Sequence, residues 1–432
     1  MIRVVISALI FCLAFQYAYE TYIYPTYAYA HFRYFPQTFT QYILNYIFVA
    51  LPLAAWRPSV EPSAFGVSLI YTVCYIPVQV MLPFMLDQAY SPVLTMQMAI
   101  CASMALFFLA SRIGAVSGIT KQPVDGRLNL VIMIIAGVAL VLLVTTNFQH
   151  MRLVSFADVY DLRLDASELQ SIGAVQYLNS WLSYCFLPFF IARGIISRHW
   201  KSLAIGMTGC LLVYLSSGAK SVILMPLIML MIWFVLKART HFLFLLLSGT
   251  AAATILVLFF PDDSALSWGK SVLLMRTFAT GGWTVSLYYE YFSANGYTYY
   301  SHIRFIDLIT QGYPYGARSL GQMIGIEYSG SDLANFNANF WASDGFAAMG
   351  LWGIPVVTAI LCGFLILVNR VSSYFDSEFI SLWMSGFWLA LLNVPLSTAI
   401  LSGGGGVIII LLWISRLQLP DSIADKAMRA SA

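Results

Sequence analysis

Long apolar stretches alternate with short polar segments along the whole chain, and this pattern predicts membrane-spanning helices. A helix that crosses a bilayer needs about 20 mostly apolar residues. Stretches that meet or approach this length lie at 2–20, 39–56, 65–86, 92–111, 128–147, 172–196, 202–217, 221–237, 241–260, 341–369, 378–399 and 404–416. We therefore predict an all-α polytopic membrane protein with about 12 transmembrane helices.

The polar intervals divide the chain into three parts. Residues 1–260 are predicted to hold spans one to nine with an outer loop at 148–171, and 261–340 form one large outer loop. Residues 341–432 are predicted to hold spans ten to twelve and an inner tail. Within the large loop, SVLLMRTFATGGWTVSLYYEYF mixes charged groups with aromatic ones, which is typical of an amphipathic helix at a membrane surface.

Composition and charge fix the class and the orientation. Apolar residues make up 60% of the chain and charged residues only 9%, whereas soluble domains are about a quarter charged. With the N-terminus inside, most of the basic residues fall in short inner segments, as the positive-inside rule requires. They are Arg3, Arg57, Arg112, Lys121, Arg127, Arg193, Arg198, Lys201, Lys237, Arg239, Arg370, Arg416, Lys426 and Arg429. The large loop is then on the outer side.

The sequence contains no residue spacing typical of a metal site or of a nucleotide-binding loop. The six cysteines lie in apolar runs without metal-like spacing, so we interpret them as buried hydrophobic residues. The pair Asp262 and Asp263 has no histidine or third carboxylate nearby, and the glycines at 403–406 have no lysine after them and no strand before them. We expect no metal, no cofactor and no nucleic-acid partner.

Four motifs resemble those of bacterial oligosaccharide repeat-unit polymerases, the Wzy-type O-antigen polymerases. They are DVYDLR at 158–163, LSSGAKS at 215–221, MRTFATGGWTVSLYYEYFSANGY at 275–297 and NFNANFWASDGFAAMGLWGIP at 335–355. The resemblance covers roughly residues 150–415, and the first five spans match only in being hydrophobic. Many members of the family carry arginine where this chain has Lys220, which keeps the charge but loses the bidentate fork.

The resemblance implies a GT-C-like fold in the bacterial inner (cytoplasmic) membrane, with an active site facing the periplasm. The family transfers a growing glycan from undecaprenyl diphosphate onto the next lipid-linked repeat unit, as in O-antigen synthesis for lipopolysaccharide. The implied partners are a lipid-linked oligosaccharide donor, a lipid-linked acceptor and membrane lipid. Family members often work beside a chain-length regulator.

A polyprenyl-diphosphate donor needs cations that gain contact as negative charge develops on its leaving oxygen. The candidates are Arg163, Lys220, Arg276, Arg304 and Arg318. We predict a catalytic role for Arg276, which lies in an apolar helical face where a free charge is expensive, and substrate binding by the others. The alternatives are that Arg276 extends to lipid headgroups and that Lys220 simply faces water at a helix start. Arg33 and Arg152 flank helix ends, and we interpret them as anchors.

Transfer to a hydroxyl also benefits from a base. We predict this role for Glu290, with an ion pair to Arg276 or Lys270 as the alternative. Asp344 is a second catalytic candidate, although an aspartate before an apolar run is also an ordinary N-cap of the helix that follows. His302 is predicted to bind substrate.

Two other functions stay open at this stage. A flippase or transporter of lipid-linked oligosaccharide is one, although transporters place charges at mid-membrane in broken helices of repeated halves, whereas here they collect in one outer loop. An O-antigen ligase is the other, because it shares the chemistry and differs in using the lipid A core as acceptor. The sequence alone does not separate a ligase from a polymerase.

Overall fold

The computed structural model describes residues 1–87, 90–116, 121–124, 126–151, 173–261 and 267–417. Regular structure in these ranges is helical throughout, and they contain no β-strand beyond an isolated bridge between Gln122 and Phe375. The prediction of an all-α membrane protein is confirmed at this level.

Six of the described helices are long and apolar enough to cross a membrane. They are Ile2–Ala30, Pro62–Met85, Ser91–Ala110, Leu128–Asn147, Arg239–Leu258 and Trp341–Ser372. Shorter apolar helices lie at Phe39–Ala54, Lys220–Leu236 and Gly405–Leu417. The helix Leu128–Asn147 exposes Ile134, Val138 and Val141, as expected where side chains face lipid rather than water.

The remaining predicted spans are helical but less regular. Residues 172–196 contain Gly173–Trp181, a π-helical turn at Leu182–Phe186, and Leu187–Ile196, and the next helix is Trp200–Ser217. The predicted span at 378–399 is not continuous, since it consists of Ser377–Trp383, Ser385–Leu391 and Leu396–Leu401. Pro395 explains the last break, because a proline disfavours helical backbone at the residue before it.

The large loop is folded against the membrane helices. A helical segment, which we call the loop helix, is α-helical at Ser267–Ser271, π-helical at Val272–Ala279 and α-helical at Thr280–Asn295. Shorter helices follow at Arg304–Thr310 and Leu320–Ser329. In the loop helix, the Phe278 ring lies 5.1 Å from that of Phe11, and Trp283 stacks on Phe32 at 5.6 Å.

Burial of the loop helix is greater than an interfacial position would give. Every residue from 282 to 289 is buried, and a Cβ added at Gly282 would lie 2.8 Å from the Met81 side chain. The part of the loop helix at 282–289 therefore belongs to the packed core, and a glycine at 282 permits its close approach to the helix Pro62–Met85.

Candidate functional site

The candidate site begins at a break in the helix Trp341–Ser372. Gly350 has φ +60° and ψ −141°, a conformation that favours glycine, and a Cβ there would lie 2.7 Å from the Tyr297 ring. A helix that is interrupted leaves the carbonyl groups before the break without their usual donors. The carbonyl groups of Ala347 and Ala348 instead accept hydrogen bonds from the large loop.

The docking segment, residues 296–303, supplies those donors. The Thr298 N–H donates to the Ala347 carbonyl oxygen at 2.9 Å, and the Tyr299 N–H donates to that of Ala348 at 2.8 Å. Tyr299 and Tyr300 both have left-handed backbone, with φ +49° and +64°. Such a conformation costs about 1–3 kcal/mol for a non-glycine residue and tends to cluster at functional sites.

This docking places His302 over Asp344. The distance from His302 Nε2 to Asp344 Oδ1 is 3.6 Å, and the two side chains are only 5% and 4% exposed. On the other side of the ring, His302 Nδ1 lies 3.0 Å from Thr298 Oγ1, and that hydroxyl donates to the Ala347 carbonyl oxygen at 3.1 Å. The site therefore joins two residues that the sequence singled out separately.

Asp344 is held by several donors. Its Oδ2 accepts from the Leu396 N–H at 2.5 Å and from Ser343 Oγ at 3.2 Å, and its Oδ1 accepts from Ser397 Oγ at 2.8 Å. Asp344 itself lies within a π-helical turn, Trp341–Phe346, a feature often found at functional sites. The alternative of an N-cap for the following helix is wrong, because the carboxylate caps the distant helix Leu396–Leu401 instead.

Two buried polar atoms in this cluster have no hydrogen-bond partner among the described residues. They are His302 Nε2 and the Tyr300 hydroxyl oxygen. Burial, and then the nearby Asp344 carboxylate, raise the pKa of Tyr300 to about 12, so its hydroxyl stays protonated as a donor. Buried polar groups without partners are rare, and each of them requires an explanation such as a catalytic role or a bound molecule.

Glu290 lies in a different arrangement. Its carboxylate forms an ion pair with Arg33, and the Tyr328 hydroxyl donates to it at 3.4 Å. The expectation of an ion pair to Arg276 or Lys270 named the wrong partner. Arg33, which we interpreted as an anchor at a helix end, pairs with Glu290 and so ties the segment after the first helix to the loop helix.

The predicted phosphate-binding cations are carried by separate elements. Arg276 and Arg304 are exposed, at the π-helical part of the loop helix and at the start of Arg304–Thr310, respectively. Arg318 pairs with Asp332 at 3.4 Å, with both side chains largely exposed. Lys220 begins the helix Lys220–Leu236 and is half-buried.

Several predicted residues lie outside the described ranges. They are Arg152, Arg163, Asp262 and Asp263. Within the ranges that are described, no three His, Cys, Asp or Glu side chains converge in a way that would hold a metal ion.

Sequence reasoning missed three members of the cluster: Thr298, Tyr300 and Ser397. Ser397 is distant in sequence from Asp344, and Thr298 and Tyr300 are ordinary members of an aromatic run. The available signal was the group of glycines Gly345, Gly350 and Gly353 at the start of the predicted span, since glycine inside a helical pattern indicates a backbone break or a close approach.

Comparisons of the chain with protein-family models, with curated proteins and with solved structures find no match.

Proposed function

We propose that this chain is a glycosyltransferase that polymerises undecaprenyl-diphosphate-linked oligosaccharide repeat units on the periplasmic face of the bacterial inner membrane. The observation that supports this most is the buried contact of His302 with Asp344, two residues predicted from sequence to serve such a site. Its position also suits a lipid-linked substrate, because the contact joins the large loop to the first turns of a membrane helix.

The proposed reaction needs one proton acceptor. The acceptor hydroxyl attacks the anomeric carbon of the donor sugar, the bond from that carbon to the diphosphate oxygen breaks, and the hydroxyl proton goes to a base. In this proposal His302 Nε2 is the base and Asp344 stabilises the resulting imidazolium. Glu290 is less suited, because its carboxylate is already engaged by Arg33 and Tyr328.

The diphosphate is the second requirement. Arg304 follows His302 by two residues and is exposed, so the proposal makes it the first phosphate contact. Arg318 can join it at small cost, since an exposed ion pair such as that with Asp332 is worth about 1 kcal/mol or less. Arg276, Lys220 and Arg163 remain predicted contacts of the same kind.

Access to the base requires movement of the docking segment, because His302 Nε2 is buried. Gly296 is suited to a hinge, since it has φ +87° and open space where a Cβ would be. The strained Tyr299 and Tyr300 lower the cost of that movement, because left-handed backbone is relieved while the segment is displaced. The segment returns to its docked position over the bound substrate before the proton is transferred, because His302 faces Asp344 only there.

The test is extension of a lipid-linked substrate by the purified protein in liposomes. The substrate is the undecaprenyl-diphosphate-linked saccharide that accumulates in cells lacking the gene. Wild-type protein is expected to produce a ladder of longer chains, and His302→Gln is expected to slow extension about 100-fold or more, the usual range for loss of a general base. Folding of the variant is checked by its yield and its elution as a single species.

The control is His31→Gln. His31 also belongs to the outer side, but it contacts the Tyr328 carbonyl oxygen at 2.7 Å, away from Asp344. Full-rate extension by His302→Gln, or no extension by the wild-type protein, would overturn the proposal. Transfer only to a lipid A core acceptor would identify a ligase, and movement of the lipid across vesicles without extension would identify a flippase.

A further inference from the structure

The hydroxyl group of Thr298 lies between two groups that can both accept its single hydrogen. Thr298 Oγ1 is 3.1 Å from the Ala347 carbonyl oxygen and 3.0 Å from His302 Nδ1. A carbonyl oxygen only accepts, whereas a ring nitrogen of histidine either donates or accepts. One arrangement alone satisfies both contacts: the hydroxyl donates to Ala347, and His302 Nδ1–H donates to the hydroxyl.

The opposite arrangement leaves a bad contact. If the hydroxyl donated to His302 Nδ1, two oxygen atoms with lone pairs would face each other at Ala347, in a place where Thr298 is buried. The ring hydrogen would then lie on Nε2, 3.6 Å from Asp344 Oδ1, which is too far for a hydrogen bond.

We infer that Thr298 is a positioning residue that fixes His302 in its Nδ1–H form and so makes Nε2 the atom that accepts the proton. This inference rests on the proposed function for its catalytic part. The state of the ring itself follows from the hydrogen bonds of Thr298, and it stands whatever the substrate is.

The rest of the cluster fits this assignment. With Nδ1 occupied, Nε2 is the ring nitrogen that can take up a proton, and Asp344 Oδ1 lies 3.6 Å from it. That distance is too long for a direct hydrogen bond, which leaves the lone pair available. The carboxylate is held in place by Leu396 and Ser397, so its charge faces the ring in both protonation states.

The step balances without another reactant. The O–H bond of the acceptor breaks and its proton binds Nε2, while the oxygen electron pair forms the new bond to the anomeric carbon. The electron pair of the broken carbon–oxygen bond leaves with the diphosphate. Asp344 then faces an imidazolium that donates from both nitrogens, to Thr298 on one side and toward the carboxylate on the other.

Two substitutions separate the hydroxyl from the shape of the side chain. Thr298→Val removes the hydroxyl and keeps the volume, and Thr298→Ser keeps the hydroxyl. Thr284→Val is the matched control, because Thr284 is equally buried and its hydroxyl also donates to a backbone carbonyl, that of Thr280 at 2.9 Å. We expect kcat for extension to fall about tenfold or more in Thr298→Val with KM unchanged, and to stay within about threefold in Thr298→Ser and Thr284→Val.

The state of the ring is measured independently by nitrogen-15 NMR of histidine-labelled full-length protein in lipid. The His302 signals are assigned by their loss in His302→Gln, at a pH of about 8.5, where free histidine is neutral. Wild-type protein is expected to show a protonated Nδ1 and a bare Nε2, and Thr298→Val is expected to shift this toward a protonated Nε2.

The outcomes distinguish the two ideas. A bare Nδ1 in wild-type protein that still extends chains would overturn this inference and leave the proposed function standing. The same spectrum in Thr298→Val as in wild-type protein would also overturn it. A Thr298-dependent Nδ1–H in a protein that extends no lipid-linked saccharide would support the positioning role and overturn the proposed function.

Discussion

Among the residues that the structure describes, two acid–base pairs link the large loop to other elements, and they differ in contact distance and in burial. Arg33 and Glu290 are in direct contact, and their side chains are 35% and 21% exposed to solvent. His302 and Asp344 are almost fully buried, yet His302 Nε2 lies 3.6 Å from Asp344 Oδ1 and has no hydrogen-bond partner among the described residues. The Arg33–Glu290 pair, in direct contact and partly hydrated, is suited to holding segments together. The His302–Asp344 pair is buried and not in direct contact, so its ring nitrogen remains free to react.

The largest expected effect is the contrast between the two carboxylates in chain extension. We expect Asp344→Asn to slow extension about 100-fold, because the neutral amide no longer stabilises a cation on His302. Glu290→Gln should remain within about threefold of wild type, since its partner Arg33 is partly hydrated. Both rates are measured with the lipid-linked saccharide assay. Equal losses in the two variants would erase the distinction drawn above.

A smaller effect is expected at the helix break. Gly350→Ala adds a Cβ against the Tyr297 ring and places a non-glycine residue at φ +60°, so we expect it to destabilise the protein by about 2 kcal/mol. Gly363→Ala is the control in the same helix, since its added Cβ meets nothing within 4 Å and helical alanine is favoured over glycine. Thermal unfolding in detergent measures both. A Gly350→Ala protein as stable as wild type would show that the docking segment does not depend on the break.

The smallest effect concerns the partly exposed Arg33–Glu290 pair. Arg33→Gln is expected to lower the free energy of unfolding by about 1 kcal/mol or less, and less still in high salt, because exposed ion pairs are screened. A double-mutant cycle with Glu290→Gln gives the coupling between the two side chains. A coupling of several kcal/mol that salt leaves unchanged would mean that the Arg33–Glu290 pair is as shielded from solvent as the His302–Asp344 pair.

Much of the helical organisation was predictable, because the length of each apolar stretch is enough to predict a spanning helix. The long helices that begin at Ile2, Pro62, Ser91 and Leu128 lie where the apolar pattern placed them. The pattern failed at 378–399, where hydrophobicity continues through Asn393-Val394-Pro395 but the helix does not. Hydrophobicity reports the environment of a segment, whereas a proline acts on the backbone, so the two signals disagree there.

The site was predictable only as separate residues. His302 and Asp344 are unusual as charged or titratable residues in an apolar chain, and Asp344 also lies in one of the four motifs that resemble the polymerase family. Their contact depends on left-handed backbone at Tyr299 and Tyr300, which the sequence gives no reason to expect at tyrosine. The partner of Glu290 was missed for a related reason, because Arg33 lies far away in sequence and becomes a neighbour only when the loop helix packs into the core.

The break at Gly350 also bears on how deep the Asp344 cluster lies relative to the bilayer. The uninterrupted helix after it, Gly353–Ser372, has 20 residues and is therefore about 30 Å long, which matches the hydrocarbon thickness of a bilayer. We therefore expect the turns before the break, which carry Asp344, to lie at the level of the lipid headgroups. For the proposed lipid-linked substrate, the pyrophosphate would then meet this cluster while the polyprenyl tail stays in the membrane.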